Sequence, residues 1–241
     1  PGPSQDGPIT VHRFPVRYAR QMRGFNRLSD KLFKQSLDFV SESHWLAEQG
    51  PLAPELLQAI AERAPDFDAL IFFTYLYAPT AWGVPLVAQK ALVVPTAHDE
   101  PPLRFGALQD VFTGPQALLC NTPEEVSLIE SRFPGASRRR VVGVGIEAQT
   151  GNPQRFRDTF QVSGPYLLYL GRMEKGKGVA DLVRRHQTLV ARAADAPTLV
   201  LAGAGELNPR GKRVVGVGRI DEQSKWDALA GALAAVVPSR Y

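Results

Sequence analysis

Cysteine is almost absent: Cys120 is the only one in 241 residues, which excludes an internal disulfide and a multi-cysteine zinc site and fits a reducing compartment. It stands in the apolar run Ala117-Leu118-Leu119-Cys120 and reads as a small buried hydrophobe rather than a nucleophile. Long apolar runs are missing too. No stretch approaches the roughly 20 residues that span a bilayer, and no secretory signal peptide is visible. The four histidines do not cluster, so nothing suggests a histidine metal site.

What is present is the composition of an ordinary folded chain, 44% apolar and 22% charged. The length suits one large domain or two modest ones. A formal charge of +4 and a pI of about 9.3 favour anionic partners such as nucleotides, nucleic acid or an acidic membrane surface. The basic runs Arg138-Arg139-Arg140 and Arg184-Arg185 are separated and lack interleaved aromatics. They read as solvated faces, and no nucleic-acid partner is expected.

Along the chain, Thr10 to Pro15 reads as a short strand, and Arg17 to Lys34 is basic and ambiguous. After Pro54, Leu56, Leu57, Ile60, Ala61 and Ala64 share one helical face. Leu70 to Phe73, Ala91 to Val94 and Ala117 to Cys120 are continuous apolar runs bounded by turn residues, as in strands covered on both faces of a parallel sheet. Thr122-Pro123-Glu124-Glu125 combines a capping threonine, a first-turn proline and a glutamate three residues after the cap, so a helix starts there. It leads to a strand expected over Val141 to Val144. From Glu147 to Gln161 the chain is polar and without apolar period, which places a domain boundary near residue 150. A second βα series follows, with strands at Tyr166 to Leu170, Thr198 to Ala202, Arg213 to Val217 and Ala234 to Val237, and a helix from Asp221. Two such series predict an α/β chain of two Rossmann-like, doubly wound parallel-sheet domains, 1–150 and 151–241. Tyr75, Tyr77 and Trp82, just beyond a strand, fit core packing better than stacking on a ligand.

The most informative stretch is Gly171-Arg172-Met173-Glu174-Lys175-Gly176-Lys177-Gly178, between a predicted strand and a predicted helix. A glycine-rich turn and a helix start present backbone N–H groups to an anion there, and the cations add charge, so a phosphate fits. A tight turn with solvated lysines is the plainer reading. The run approaches the ATPase P-loop pattern, but Gly178 stands where that pattern needs the Ser or Thr that holds magnesium. The later strands run into Gly203 and Pro238 and offer no terminal Asp to complete such a site.

In order, Gly171, Arg172, Lys177 and Gly178 resemble the donor-phosphate motif of the retaining family 4 glycosyltransferases. Ala202-Gly203-Ala204-Gly205-Glu206 resembles that family's glycine turn, and Val217-Gly218-Arg219-Ile220-Asp221 its base-binding loop. Val237-Pro238-Ser239-Arg240-Tyr241 is similar to the approach to its paired-glutamate motif. Asn121 to Glu125 and Val142 to Glu147 are similar to the end of its acceptor domain, and Thr96-Ala97-His98-Asp99-Glu100 resembles its strand-end His-Asp beside the donor sugar.

The resemblance implies a GT-B type architecture, two incomplete Rossmann-like domains facing across a cleft, with the acceptor on the first and the donor on the second. It implies hexosyl transfer from a nucleotide-diphosphate sugar to a saccharide, lipid or small-molecule acceptor, with retention at the anomeric carbon. Gly171, Arg172 and Lys177 would hold the donor phosphates, Gly203, Gly205, Ile220 and Asp221 the nucleotide, and His98 would act beside the sugar. Plainer readings stand next to these: a strand-to-helix turn for Gly203-Ala204-Gly205, a helix cap for Asp221, a loop histidine for His98. Fixed cations at a departing diphosphate stabilise the transition state more than the ground state. With Arg172 and Lys177 neutralising it, no metal is needed, and no cofactor is implied beyond the donor substrate. The same fold also suits a non-catalytic nucleotide-sugar-binding or scaffold protein. The expected location is the cytoplasm, with peripheral association at the inner face of the membrane. The sequence opens at Pro1 without methionine and stops at Tyr241, so against the family pattern it is expected to be cut at both ends and inefficient alone.

Overall fold

The computed structural model describes residues 2–35 and 38–239, so Arg240 and Tyr241, at the approach to the expected paired-glutamate motif, lie outside them. Strands β1 (Ser4–Asp6) and β2 (Ile9–Val11) form an antiparallel hairpin. Of the strand expected over Thr10 to Pro15, only Thr10 and Val11 join a ladder, and they pair with β1 rather than with a parallel sheet. Pro15 has no N–H to extend it. The ambiguous basic stretch holds helix α1 (Met22–Lys34), whose Phe25, Leu28 and Leu32 recur at helical spacing and pack in the cluster containing Trp45 of α2 (Phe39–Gln49).

Helix α3 (Pro54–Arg63) leads to β3 (Leu70–Phe73), α4 (Ala78–Leu86) to β4 (Ala91–Val94), and α5 (Gln109–Thr113) to β5 (Ala117–Cys120). Helix α6 (Pro123–Arg132) leads to β6 (Arg138–Val141). The four strands pair in sequence order β3-β4-β5-β6, all parallel. The last strand occupies Arg138 to Val141 instead of the expected 141 to 144. Arg139 is satisfied by Glu130 (3.1 Å) and by the Ala136 and Ser137 carbonyls, while Arg138 and Arg140 stay exposed on this edge strand. At the opposite edge, Ile71 and Phe73 are exposed. Tyr75 is fully buried in the core with Val93, Phe112, Leu118, Cys120 and Ile129, whereas Tyr77 is exposed. The Tyr75 phenol donates to Glu100 (2.8 Å), and burial pushes its pKa upward.

The chain divides at Gly145/Ile146 into two compact units. In the second, α7 (Pro153–Phe160) lies within the polar stretch 147–161, where the sequence showed no apolar period and a domain boundary was expected. Asn152 caps it, its side chain accepting from the Gln154 and Arg155 N–H groups, and its apolar face is narrow: Phe156 and Phe160, one turn apart. Then come β7 (Tyr166–Leu170), α8 (Val179–Arg192), β8 (Thr198–Ala202), β9 (Val214–Gly218), α9 (Glu222–Gly231) and β10 (Ala234–Ala235). The strand order is β10-β7-β8-β9, again all parallel. Alternation along the strands separates two cores. Tyr166, Leu168, Val200 and Ala202 pack with Phe156 and Ala228 on one face; Tyr169, Leu199 and Leu201 pack with Val179 and Val183 on the other. Each unit is thus a Rossmann-like parallel α/β layer. Among the described residues no helix is long and apolar enough to cross a membrane.

Candidate functional site

In the second unit the strand order reverses between β10 and β7, and ligands of open α/β sheets lie beyond the carboxyl ends of strands near such a reversal. The loops leaving these strands are stitched together by their backbones. Gly171 N–H donates to the Ala202 carbonyl (3.0 Å), Gly203 N–H to that of Gly218 (2.7 Å), and Met173 N–H to that of Ala204 (3.0 Å). So close an approach demands glycine. A Cβ on Gly203, whose φ is +146°, would overlap the Gly171 carbonyl, and one on Gly178, whose φ is +69°, would overlap the Pro238 carbonyl. The Tyr169 phenol, buried beneath, donates to the Arg172 carbonyl (2.8 Å).

These loops enclose a pocket of about 490 Å³. Gly171, Arg172, Gly203, Ile220 and Asp221 line it, so the sequence-derived phosphate and nucleotide residues largely converge. Gly205 and Lys177 belong to the same loops but not to the lining: Gly205 packs against the Met173 backbone, and Lys177 sits half-buried in the turn before α8. Arg219, which from sequence stood only within the expected base-binding loop, lines the pocket too, as do Glu222 and Lys225, which were not singled out. Lys225 had one signal, its place four residues after the helix-capping Asp221.

Charge in the pocket is arranged in local pairs. Arg172 meets Glu174 (3.1 Å) and Lys225 meets Glu222 (2.5 Å), both largely solvated, so a more highly charged anion can displace these carboxylates at little cost. Asp221 does two things: it caps α9 by accepting from Ser224 N–H (2.7 Å), and it lines the pocket. That backbone hydrogen bond holds its carboxyl below the ordinary range. Helices α6, α7 and α9 are each capped by a side chain, whereas Gly178 leaves the start of α8 without one.

In the first unit, His98 is exposed beyond the carboxyl end of β4. Glu125, buried at the start of α6, builds this region: its carboxylate accepts from Ala97 N–H and Asn121 N–H, both at 2.6 Å, and ties the ends of β4 and β5 together. From sequence Glu125 read as a capping-box residue in a stretch similar to the end of the acceptor domain, with no sign of the two backbone partners it holds. The Asp-x-Asp sequence Asp66-Phe67-Asp68 precedes β3, at the amino ends of the strands, where Asp66 pairs with Arg63. Among the described residues no three His, Cys, Asp or Glu gather as a metal site.

No family model and no curated protein matches the sequence. Solved structures do. The whole chain superposes on 63% of sucrose-phosphate synthase from Thermosynechococcus elongatus, with a TM-score of 0.68 and 18% identity. Similarly, 95% of it superposes on 66% of an alpha,alpha-trehalose-phosphate synthase (UDP-forming) from Burkholderia xenovorans, in complex with glucose-6-phosphate, with a TM-score of 0.58 and 11% identity. The chain spans less than two thirds of the length of either. At such identities the likeness is one of fold, that of GT-B glycosyltransferases.

Proposed function

We propose that the second unit binds a nucleotide-diphosphate sugar and that the chain is part of a retaining, hexosyl-transferring glycosyltransferase of the family 4 kind, acting on a saccharide, lipid or small-molecule acceptor. The observation that carries this reading is the pocket at the strand ends. Gly171, Arg172, Gly203, Ile220 and Asp221, picked out by order in the sequence, meet around one cavity. The planar fork of Arg172 suits two phosphate oxygens and Lys177 supplies a compact charge, so the diphosphate is neutralised without a metal ion. The fold neighbours make the assignment chemically coherent, since one is a sucrose-phosphate synthase and the other a UDP-forming trehalose-phosphate synthase. For His98, exposed beyond the carboxyl end of β4 in the first unit, the proposed role is in turnover rather than in diphosphate binding.

Calorimetry with UDP, GDP and ADP tests the pocket. Arg172→Ala and Lys177→Ala should each weaken binding by on the order of 1.5 to 3 kcal/mol, the cost of a lost charged hydrogen bond. Unchanged affinity in a folded double variant would sink the assignment, and loss of binding in EDTA would sink metal independence. In a protein that turns over donor, His98→Ala should lower turnover while sparing diphosphate affinity. Binding without any turnover would instead favour the non-catalytic role, and an inverted anomeric product would refute retention.

A further inference from the structure

We infer that the exposed face of α1 is a docking surface for an anionic lipid membrane, an inference independent of the nucleotide-sugar pocket. Residues 12–35 hold seven Lys and Arg and one Asp, a net +6 that exceeds the +4 of the whole chain, so the remaining residues sum to −2. All seven cations are exposed. On α1, Arg23, Arg27 and Lys31 follow at four-residue spacing with Lys34 three further on, opposite the face that carries Phe25, Leu28, Ser29 and Leu32 into the core. Like charges at that spacing repel and destabilise a helix. Some surface arginines elsewhere meet carboxylates, as in Arg132–Asp99, Arg139–Glu130 and Arg184–Asp181. Among the described residues none of the four α1 cations stands in an ion pair. The helix bears this repulsion because its other face is anchored: Phe25 lies 5.5 Å from Trp45, ring to ring, and Ser29 accepts from the Trp45 indole (2.8 Å).

The cations are flanked by exposed apolar groups. Met22 (54% exposed) and Phe33 (38%) lie three turns apart, aligned along one border of the charged stripe. Just before the helix, Val16 (52%) and Tyr18 (41%) alternate with Arg17. A merely solvated face has no use for these groups, and a nucleic-acid backbone would engage the cations alone. An anionic bilayer takes both: headgroup phosphates meet the stripe, and Val16, Tyr18, Met22 and Phe33 enter the boundary of the acyl chains. Arg20 stays out of this role, since it donates to the Gln49 carbonyl and lies over Phe25.

The test is co-sedimentation of the chain with phosphatidylcholine vesicles, with and without phosphatidylglycerol. Binding is expected only to the anionic vesicles, and it should fall with added salt. Replacing Arg23, Arg27, Lys31 and Lys34 by Gln should lower the partition coefficient about fivefold per cation, on the order of a hundredfold or more in total. Circular dichroism should show the fold intact, because the substitutions relieve repulsion. Removing equal charge elsewhere, with Arg138, Arg140, Arg184 and Arg185 replaced by Gln, should leave binding nearly unchanged, and Met22→Ser should weaken it severalfold without changing charge. Equal binding to neutral vesicles, or equal loss in both charge variants, overturns the proposal. A silent Met22→Ser together with equally tight binding to a DNA duplex at the same salt assigns the face to polyanions and overturns it as well.

Discussion

At Glu125 one carboxylate holds the ends of two strands, a role that neither its capping-box place nor the motif around it announced in the sequence. The two N–H donors come from Ala97 and Asn121, far apart in the chain, so only the folded sheet brings them together. Glu125→Gln turns one acceptor into an amide donor facing an N–H, which should cost about 1 to 3 kcal/mol. Chemical denaturation checks this, and an unchanged midpoint would contradict it. Asp227 carries a similar burden in the second unit, accepting from Asn152 N–H (2.7 Å) and from Arg155 (2.7 Å). The hydrogen bond from Arg155, more than any other influence, holds its carboxyl well below the ordinary range. Because that pKa is depressed on folding, the stabilisation is complete above the unfolded value, near 4, and is lost as pH falls through the lower folded value. Asp227→Asn should therefore flatten the acid limb of the stability profile; an identical pH dependence would show that the carboxylate contributes nothing. Arg172 and Gly203 were legible because short motifs carry them, whereas Glu222 and Lys225 reach the pocket only through the fold.

Elements differ in how openly the sequence announces them. Strands β4, β5 and β7 were plain because sheets covered on both faces leave uninterrupted apolar runs; β3 shows the same run although Ile71 and Phe73 on it are exposed. Helix α4 was hidden behind Pro79, Gly83 and Pro85, residues that usually mark loops. The structure shows their compatibility: Pro79 falls in the first turn, where its missing N–H costs nothing, and Gly83 lets the helix lie against Phe72. A Cβ on Gly83 would stand 2.7 Å from the Phe72 ring, so Gly83→Ala should lose about 1 to 3 kcal/mol to overpacking despite its better helix propensity. A rise in melting temperature would refute that contact. Helix α7 was missed for the opposite reason, since two phenylalanines one turn apart are too few to raise a periodic signal, and the rest of its stability comes from Asn152 and from α9.

For the molecule as a whole, the division into two units makes ligand effects local. A nucleoside diphosphate at one hundred times its dissociation constant should add about 2.7 kcal/mol of stability to the state that binds it. Hydrogen exchange should slow in the loops at 171–178, 203–207 and 218–225 and stay unchanged around Glu125. Protection centred on the first unit would mean that the pocket has been misassigned.

The sheet of the first unit ends differently on its two sides: Arg138 and Arg140 project from β6, and Ile71 and Phe73 are bare at β3. A neighbour approaching the arginine edge brings like charge against like, which blocks strand addition from that side. The β3 side has no such guard. Any aggregation of this chain should therefore be polar, starting at one margin of one sheet, and in a light-scattering assay a charged residue in place of Phe73 should slow it more than any change at β6.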